Sequence, residues 1–327
     1  MARNGRLTIK EIAKAANVSV GTVSRALNGR PGVSPETRAR VLEAVRALGF
    51  VPSVAARELV GKSTTVGLLF APGVRRYTPY FALLLEALSE ALWREGLRVA
   101  EVPTDARGLP QEEALGYLLL GAHDHDPRLE ALRTRGTPFV LIGAYPGVFW
   151  VAPDDRDGGY QATRHLLELG HREVAHLTGH PHHQAGRERL LGYKKALLEA
   201  GLTFRSELVL DGNFDALAAY RAVRRAWEGG LRFTALFAAS DEMALGAWAA
   251  LEDLGLRVPQ EVSLVGYDDL PDLGERLTTI HQDIPAIARE AVALLKLALE
   301  GHPPQGRRLP VHLVPRGTTA RREVGAG

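Results

Sequence analysis

The sequence predicts two fold classes in one chain: an all-α helix-turn-helix headpiece, followed by an α/β body of two lobes built on parallel sheets. Three observations lead there. Residues 1–62 hold eleven Lys or Arg against four acids, whereas the rest holds 29 basic against 34 acidic side chains. Short capped helices separated by tight turns fill residues 8–49. Beyond them, apolar runs alternate with helical stretches, and strand–helix–strand repetition of this kind builds parallel sheets covered on both faces.

The elements can be justified in order. Thr8 can cap a helix from about Ile9 to Ala16, with Glu11 in its first turn. Asn17 tolerates the left-handed conformation of a turn, and Ser19 caps a second helix over Val20–Leu27, ended by Asn28-Gly29. Two short helices joined this way form a helix-turn-helix. Small Ala13 suits the crossing, and Ile12, Val18, Val23 and Leu27 suit the packing. Ser34-Pro35-Glu36 opens a third helix whose buried stripe is Val41, Val45 and Leu48, and Gly49 stops it. The outer face of the second helix carries Gly21, Thr22, Ser24, Arg25 and Asn28, groups of the kind that reach phosphates and base edges in a major groove. A basic module on an acidic body is the charge distribution expected of phosphate-backbone binding; a solvated basic tail would share it.

The body reads as strand Thr65–Phe70, helix Tyr80–Glu95 and strands Leu97–Val102 and Pro138–Ile142. Helix Gly158–Leu169, strand Val174–Leu177, helix Leu190–Glu199, strand Ala235–Ala238, helix Met243–Leu254 and strand Val262–Val265 follow. In such open sheets ligands bind outside the carboxyl ends of the strands. The totals exclude other classes. The 327 residues exceed one ordinary core, and 46% apolar with 24% charged residues is globular composition. No run approaches 18 apolar residues, so no membrane partner is expected, and the polar N-terminus favours a cytoplasmic protein. The absence of cysteine removes disulfides, thiol nucleophiles and cysteine-bound zinc.

The stretches Leu7–Gly29 (LTIKEIAKAANVSVGTVSRALNG) and Val33–Thr64 (VSPETRARVLEAVRALGFVPSVAARELVGKST) resemble the headpiece of the lactose-repressor/galactose-repressor (LacI/GalR) family. The resemblance implies that Val20, Gly21 and Arg25 sit where relatives read bases, and Thr8, Ser19, Thr22, Ser24 and Asn28 where they touch the DNA backbone. Gly21 departs from the larger side chain often found there, and Ser53 from the usual asparagine. The resemblance further implies domains at 1–52 (headpiece), 53–62 (hinge and linker) and 63–327 (effector binding and dimerisation). Val54–Val60 is about two helical turns, too short to persist alone in water. In the family this segment pairs with its dimer mate in the minor groove, which makes Leu59 the wedge between bases and Ala56 the residue of close approach. Ordinary linker packing is the competing role for Leu59.

The body carries the same resemblance in Pro153–Gly179, Gly186–Gly201, Leu236–Ala247, Arg257–Leu270, Leu277–Asp283 and Val314–Thr319. It implies a core like periplasmic sugar-binding proteins, two lobes joined by three crossovers. Between Asp105 and Pro127 the chain is shorter than usual, so a helix and a strand of the first lobe are expected to be trimmed.

Strand ends deliver the effector candidates Tyr80, Phe81, Arg189, Phe214, Ser240, Asp241, Asp268 and Gln282. Arg189 can grip hydroxyls or a carboxylate, or be a surface charge in Arg187-Glu188-Arg189. For Ser240 and Asp241 a helix-capping role competes with ligand contact, and Asp241 is the expected cap. Phe214 can stack on a sugar face or simply pack. A sugar is the first choice of effector, with a purine or an amino-acid-like co-repressor as the alternative. His123-Asp124-His125-Asp126 and His180-Pro181-His182-His183 invite a metal-hydrolase reading. No helical His-x-x-x-His frame supports it, so no enzyme, metal or cofactor is expected. The expected partners are double-stranded operator DNA, a small-molecule effector and a second copy of the chain, with pairing of dimers into a tetramer left open.

Overall fold

The computed structural model describes residues 9–27, 32–48, 64–180, 182–271 and 276–322. The chain divides into two compact units, Met1–Thr65 and Val66–Gly327. The first contains α1 (Ile9–Ala15), α2 (Val20–Leu27) and α3 (Pro35–Leu48). Asn17 takes the left-handed backbone, φ 51°, in the turn between α1 and α2. Ser19 Oγ accepts the Thr22 N–H at 3.0 Å, and Ser34 Oγ accepts that of Thr37 at 3.2 Å, so each of the two later helices begins on a side-chain cap. Ile12, Val23 and Val41 fill the centre, with small Ala13, Ala16 and Ala26 between them. The side chains of Leu27, Val45 and Leu48 lie outside the described residues.

The second unit runs β1 (Thr65–Phe70), α4 (Pro79–Arg94), β2 (Arg98–Glu101), β3 (Gly116–Leu120), α5 (Pro127–Thr134), β4 (Phe139–Ile142) and β5 (Trp150–Pro153). It continues with α6 (Asp155–Glu168), β6 (Val174–Thr178), α7 (Gln184–Glu199), β7 (Val209–Asp211), α8 (Ala216–Glu228), β8 (Ala235–Ala238), α9 (Asp241–Asp253) and β9 (Ser263–Val265). Last come β10 (Thr279–Gln282), α10 (Ile284–Leu299), β11 (Gly306–Leu309) and β12 (Val311–Val314). Two sheets result. One has the order β11-β5-β4-β3-β1-β2 and the other β7-β6-β8-β9, while β10 and β12 pair as an antiparallel ribbon.

Alternation within each buried strand divides its side chains between two layers. In the first lobe, Val66, Leu68 and Phe70 meet α4 and α10, while Leu69, Tyr117 and Leu119 meet α5. In the second, Ala175, Leu177 and Leu236 face α8 and α9, while Val174, Ala235 and Phe237 face α6 and α7. The chain crosses between lobes three times, after β5, between β9 and α10, and between β11 and β12.

Two expectations are corrected here. Residues 102–115 contain no helix, but β3 survives between β1 and β4. A central strand pairs on both sides and cannot be lost without opening the core, whereas the outer layer is replaced by α5 and the buried loop residues Val102 and Leu109. Helices α6 and α7 also begin earlier than Gly158 and Leu190. Their glycines mark contact rather than termination. A Cβ on Gly159 would lie 2.2 Å from the Arg189 carbonyl oxygen, and one on Gly192 2.1 Å from that of Arg156.

His176 in β6 is fully buried, its Nδ1 3.0 Å from the Phe237 carbonyl and its ring stacked between Phe237 and Tyr193. Burial pulls its pKa down to about 3. A base that takes its proton only when unfolded loses stability as pH drops below its ordinary 6.5, by up to about 1.4 kcal/mol per unit. His176→Phe keeps the stacking and should flatten the acid limb of stability between pH 6.5 and about 3. Urea melts across that range check this; an unchanged slope would remove His176 from the account.

Candidate functional site

Loops at the strand ends of both lobes enclose a cavity of about 1110 Å³ counted to its mouth. Tyr80 and Phe81 stand in the first turn of α4, which Thr78 caps by accepting the Phe81 N–H at 3.3 Å. Phe214 follows Asn213, both in left-handed backbone (φ 51° and 49°), and its ring lines the second lobe. The ring fits there because residue 179 is glycine; a Cβ would lie 2.0 Å from it. Ser240 lines the cavity and also caps α9, accepting the Met243 N–H at 3.2 Å. Asp268 and Gln282 lie on the crossover wall, joined by Gln282 Nε2 donating to Asp268 Oδ1 at 2.6 Å. Burial pushes the Asp268 carboxyl above its usual range, against the pull of Arg189.

Two sequence expectations change. Asp241 does not line the cavity and does not cap the helix. Its Oδ1 accepts the Thr279 hydroxyl at 2.6 Å and its Oδ2 the Leu270 N–H at 2.9 Å, and burial raises its pKa to about 6. It ties the crossover to α9. Arg189 does line the cavity, yet its guanidinium is committed: Nε donates to Asp155 at 2.8 Å and Nη1 to the Ala239 carbonyl at 2.6 Å, over the Tyr267 ring at 3.5 Å. Asp155, buried on the same wall, is the site residue that sequence reasoning missed. Its signal was present, an acid directly after a strand in Pro153-Asp154-Asp155, but it reads equally as a first-turn helix acid.

Further polar groups bridge the lobes around the mouth. Arg75, after β1, contacts Asp215 at 2.5 Å and Glu242 at 3.3 Å and donates to the Phe214 carbonyl at 3.1 Å. On the other flank the Gln184 amide accepts from Ala144 N–H at 2.7 Å and donates to its carbonyl at 2.6 Å. Arg187 pairs with Asp124, and His123 bridges His183 through the backbone. His123, Asp124 and His183 of the two His-rich runs thus serve in this interlobe seam. Among the described residues no group of three or more His, Cys, Asp or Glu is arranged to hold a metal.

In the first unit, Arg25 is exposed on α2, and Val20 is 40% exposed. Among the described residues a Cβ at Gly21 would meet only Ser19 Oγ, at 3.7 Å, so their packing does not demand glycine there. The Thr22 hydroxyl is bonded to Ser19 Oγ at 2.9 Å. Ser24 lies in α2 with its side chain outside the described residues, as are Thr8, Asn28, Ala56 and Leu59 altogether.

Comparison with known proteins places these two units in one lineage. Residues 8–53 match the bacterial regulatory proteins of the lacI family, and residues 163–319 match the periplasmic binding protein-like domain. The HTH-type transcriptional regulator CelR of Thermobifida fusca is 36% identical, over 94% of this chain and 96% of its own. The chain belongs to the LacI family. Its structure resembles that of a CelR–cellobiose complex (TM-score 0.72, 33% identity, 96% of this chain and 100% of that one). It also resembles a lac repressor dimer bound to operator and an anti-inducer (TM-score 0.71, 26% identity, 97% and 100%). This LacI-family chain is accordingly a DNA-binding transcriptional regulator. None of its described helices is long and apolar enough to cross a membrane.

Proposed function

We propose that this LacI-family member is a cytoplasmic, homodimeric repressor without catalytic activity, whose affinity for operator DNA is set by a sugar held in the cavity. One observation carries the choice of ligand: the Phe214 ring shares an enclosed wall with the acceptor groups of Asp268 and Gln282. An aromatic face beside acceptors suits the apolar face and hydroxyl edge of a pyranose. The likeness to a protein crystallised with cellobiose supports the same reading.

In this mechanism residues 53–62 link the headpiece (1–52) to the body, and two Val54–Val60 segments order as a pair in the minor groove, with Leu59 wedged between bases and Ala56 allowing close approach. Thr8, Ser19, Thr22, Ser24 and Asn28 contact the DNA backbone, while Val20, Gly21 and Arg25 face bases. The effector changes the angle between lobes and hence the spacing of the paired segments; linkage then requires DNA and effector to alter each other's affinity equally. A two-fold protein implies a two-fold site.

Selection of duplexes from a random pool, followed by fluorescence anisotropy with and without cellobiose or glucose, tests this. An inverted repeat whose affinity shifts with sugar is expected; a single half-site, or binding indifferent to every sugar, would overturn the reading. On the selected operator Arg25→Ala should cost about 1–3 kcal/mol and relax base choice at its position. Undiminished discrimination against mutated half-sites would mean that Arg25 reads no base.

A further inference from the structure

The cavity wall carries two permanently charged cations, and each already faces two carboxylates. Arg189 lies 2.8 Å from Asp155 and 3.6 Å from Asp268. Arg75 lies 2.5 Å from Asp215 and 3.3 Å from Glu242. His183, on the same wall, is held neutral near pH 7, because burial and the neighbouring His180, His123 and His182 bring its pKa down to about 4. Both cations of the wall are therefore already matched by carboxylates. Gln282 adds a second feature: its Oε1 is buried and has no hydrogen-bond partner among the described residues, while its Nε2 is spent on Asp268. A buried acceptor without a donor costs free energy until a ligand supplies one. A ligand entering this space meets the Gln282 acceptor, which lacks a donor, and two cations already paired with carboxylates.

We propose that the cavity selects an uncharged, hydroxyl-rich effector and rejects its phosphorylated counterpart, with Asp215 and Glu242 as specificity-determining residues because they occupy Arg75. An anionic group would have to displace a carboxylate from Arg75 or sit beside Asp268 and Glu242 with no cation of its own. The proposal rests on the reading of the cavity as an effector site, and goes beyond it in fixing the charge of what binds.

The test is calorimetric titration of the full-length protein with matched pairs: cellobiose and cellobiose 6′-phosphate, glucose and glucose 6-phosphate, adenosine and adenosine 5′-monophosphate. The neutral member of the pair that binds should be at least tenfold tighter. In the double variant Asp215→Asn/Glu242→Gln this ratio should fall below threefold, since Arg75 is released. Asparagine retains an oxygen to cap α8, where Asp215 Oδ1 accepts the Ala218 N–H at 2.6 Å. Arg75→Gln, which leaves the carboxylates in place, should keep the neutral ligand ahead. Equal or tighter wild-type binding of a phosphorylated member would overturn the proposal while sparing the effector-site reading. Binding of the purine pair alone would sink the sugar assignment and still judge the charge rule. Silence from all three pairs would count against both.

Discussion

Arg189→Met is expected to cost about 3–5 kcal/mol of stability, because it strips the cation from two buried carboxylates. Asp155 and Asp268 would then face each other across the cavity wall with their charges unopposed, in a setting where burial already pushes both carboxyls above their usual range. The sign of the pH dependence follows. A carboxyl whose folded pKa is raised binds its proton more tightly when folded, so its contribution to stability falls as pH rises above the ordinary 3.8. The deficit of Arg189→Met should therefore be larger at pH 8 than at pH 5, and adding Asp155→Asn should recover part of it. Urea denaturation at the two pH values measures this. A deficit that does not change with pH would show that the lost packing over Tyr267, rather than the lost charge, dominates.

A comparable loss, about 3–5 kcal/mol, is expected for Arg128→Met. Arg128 is completely buried and pairs with Asp126 through Nη2 at 2.6 Å and Nε at 2.9 Å. Its Nη1 donates to the carbonyls of Leu69 at 2.5 Å and Leu120 at 3.0 Å. It thus gathers the carboxyl ends of β1 and β3, from which the cavity floor at Leu120, Gly121 and Ala122 departs. Asp126 also caps α5, accepting the Arg128 N–H at 3.0 Å. The double variant Arg128→Met/Asp126→Asn removes the stranded charge and keeps a cap acceptor, so it should regain a large part of the loss. Additive effects of the two substitutions in denaturation would mean that the pair is not coupled.

These residues also show where the sequence stops being informative. Arg128 sits in a charged stretch, Asp126-Pro127-Arg128-Leu129-Glu130, in which nothing local marks it as buried; its burial comes with the bonds to Asp126 and to the Leu69 and Leu120 carbonyls. The expected helix start at Gly158 came three residues late, and nothing local announced that Gly159 is the point where two helix backbones touch. In Ala-Ser-Asp-Glu-Met the sequence pointed to Asp241 as the cap; the fold gave the cap to Ser240 and sent Asp241 to Thr279 and Leu270.

What the chain announces by itself is local. Ser19 and Ser34 bond within three residues, Asn17 adopts a turn by its own nature, and alternating strands declare two-sided burial. Those signals determined the helix-turn-helix and the α/β body, because each is settled by neighbours a few residues away. The tertiary structure decided which charges meet: Arg189 finds Asp155 across 34 residues, and Arg75 finds Glu242 across 167. Such pairings depend on long-range Coulomb and desolvation energies that exist only once the lobes have folded, and they leave no periodic trace in the sequence.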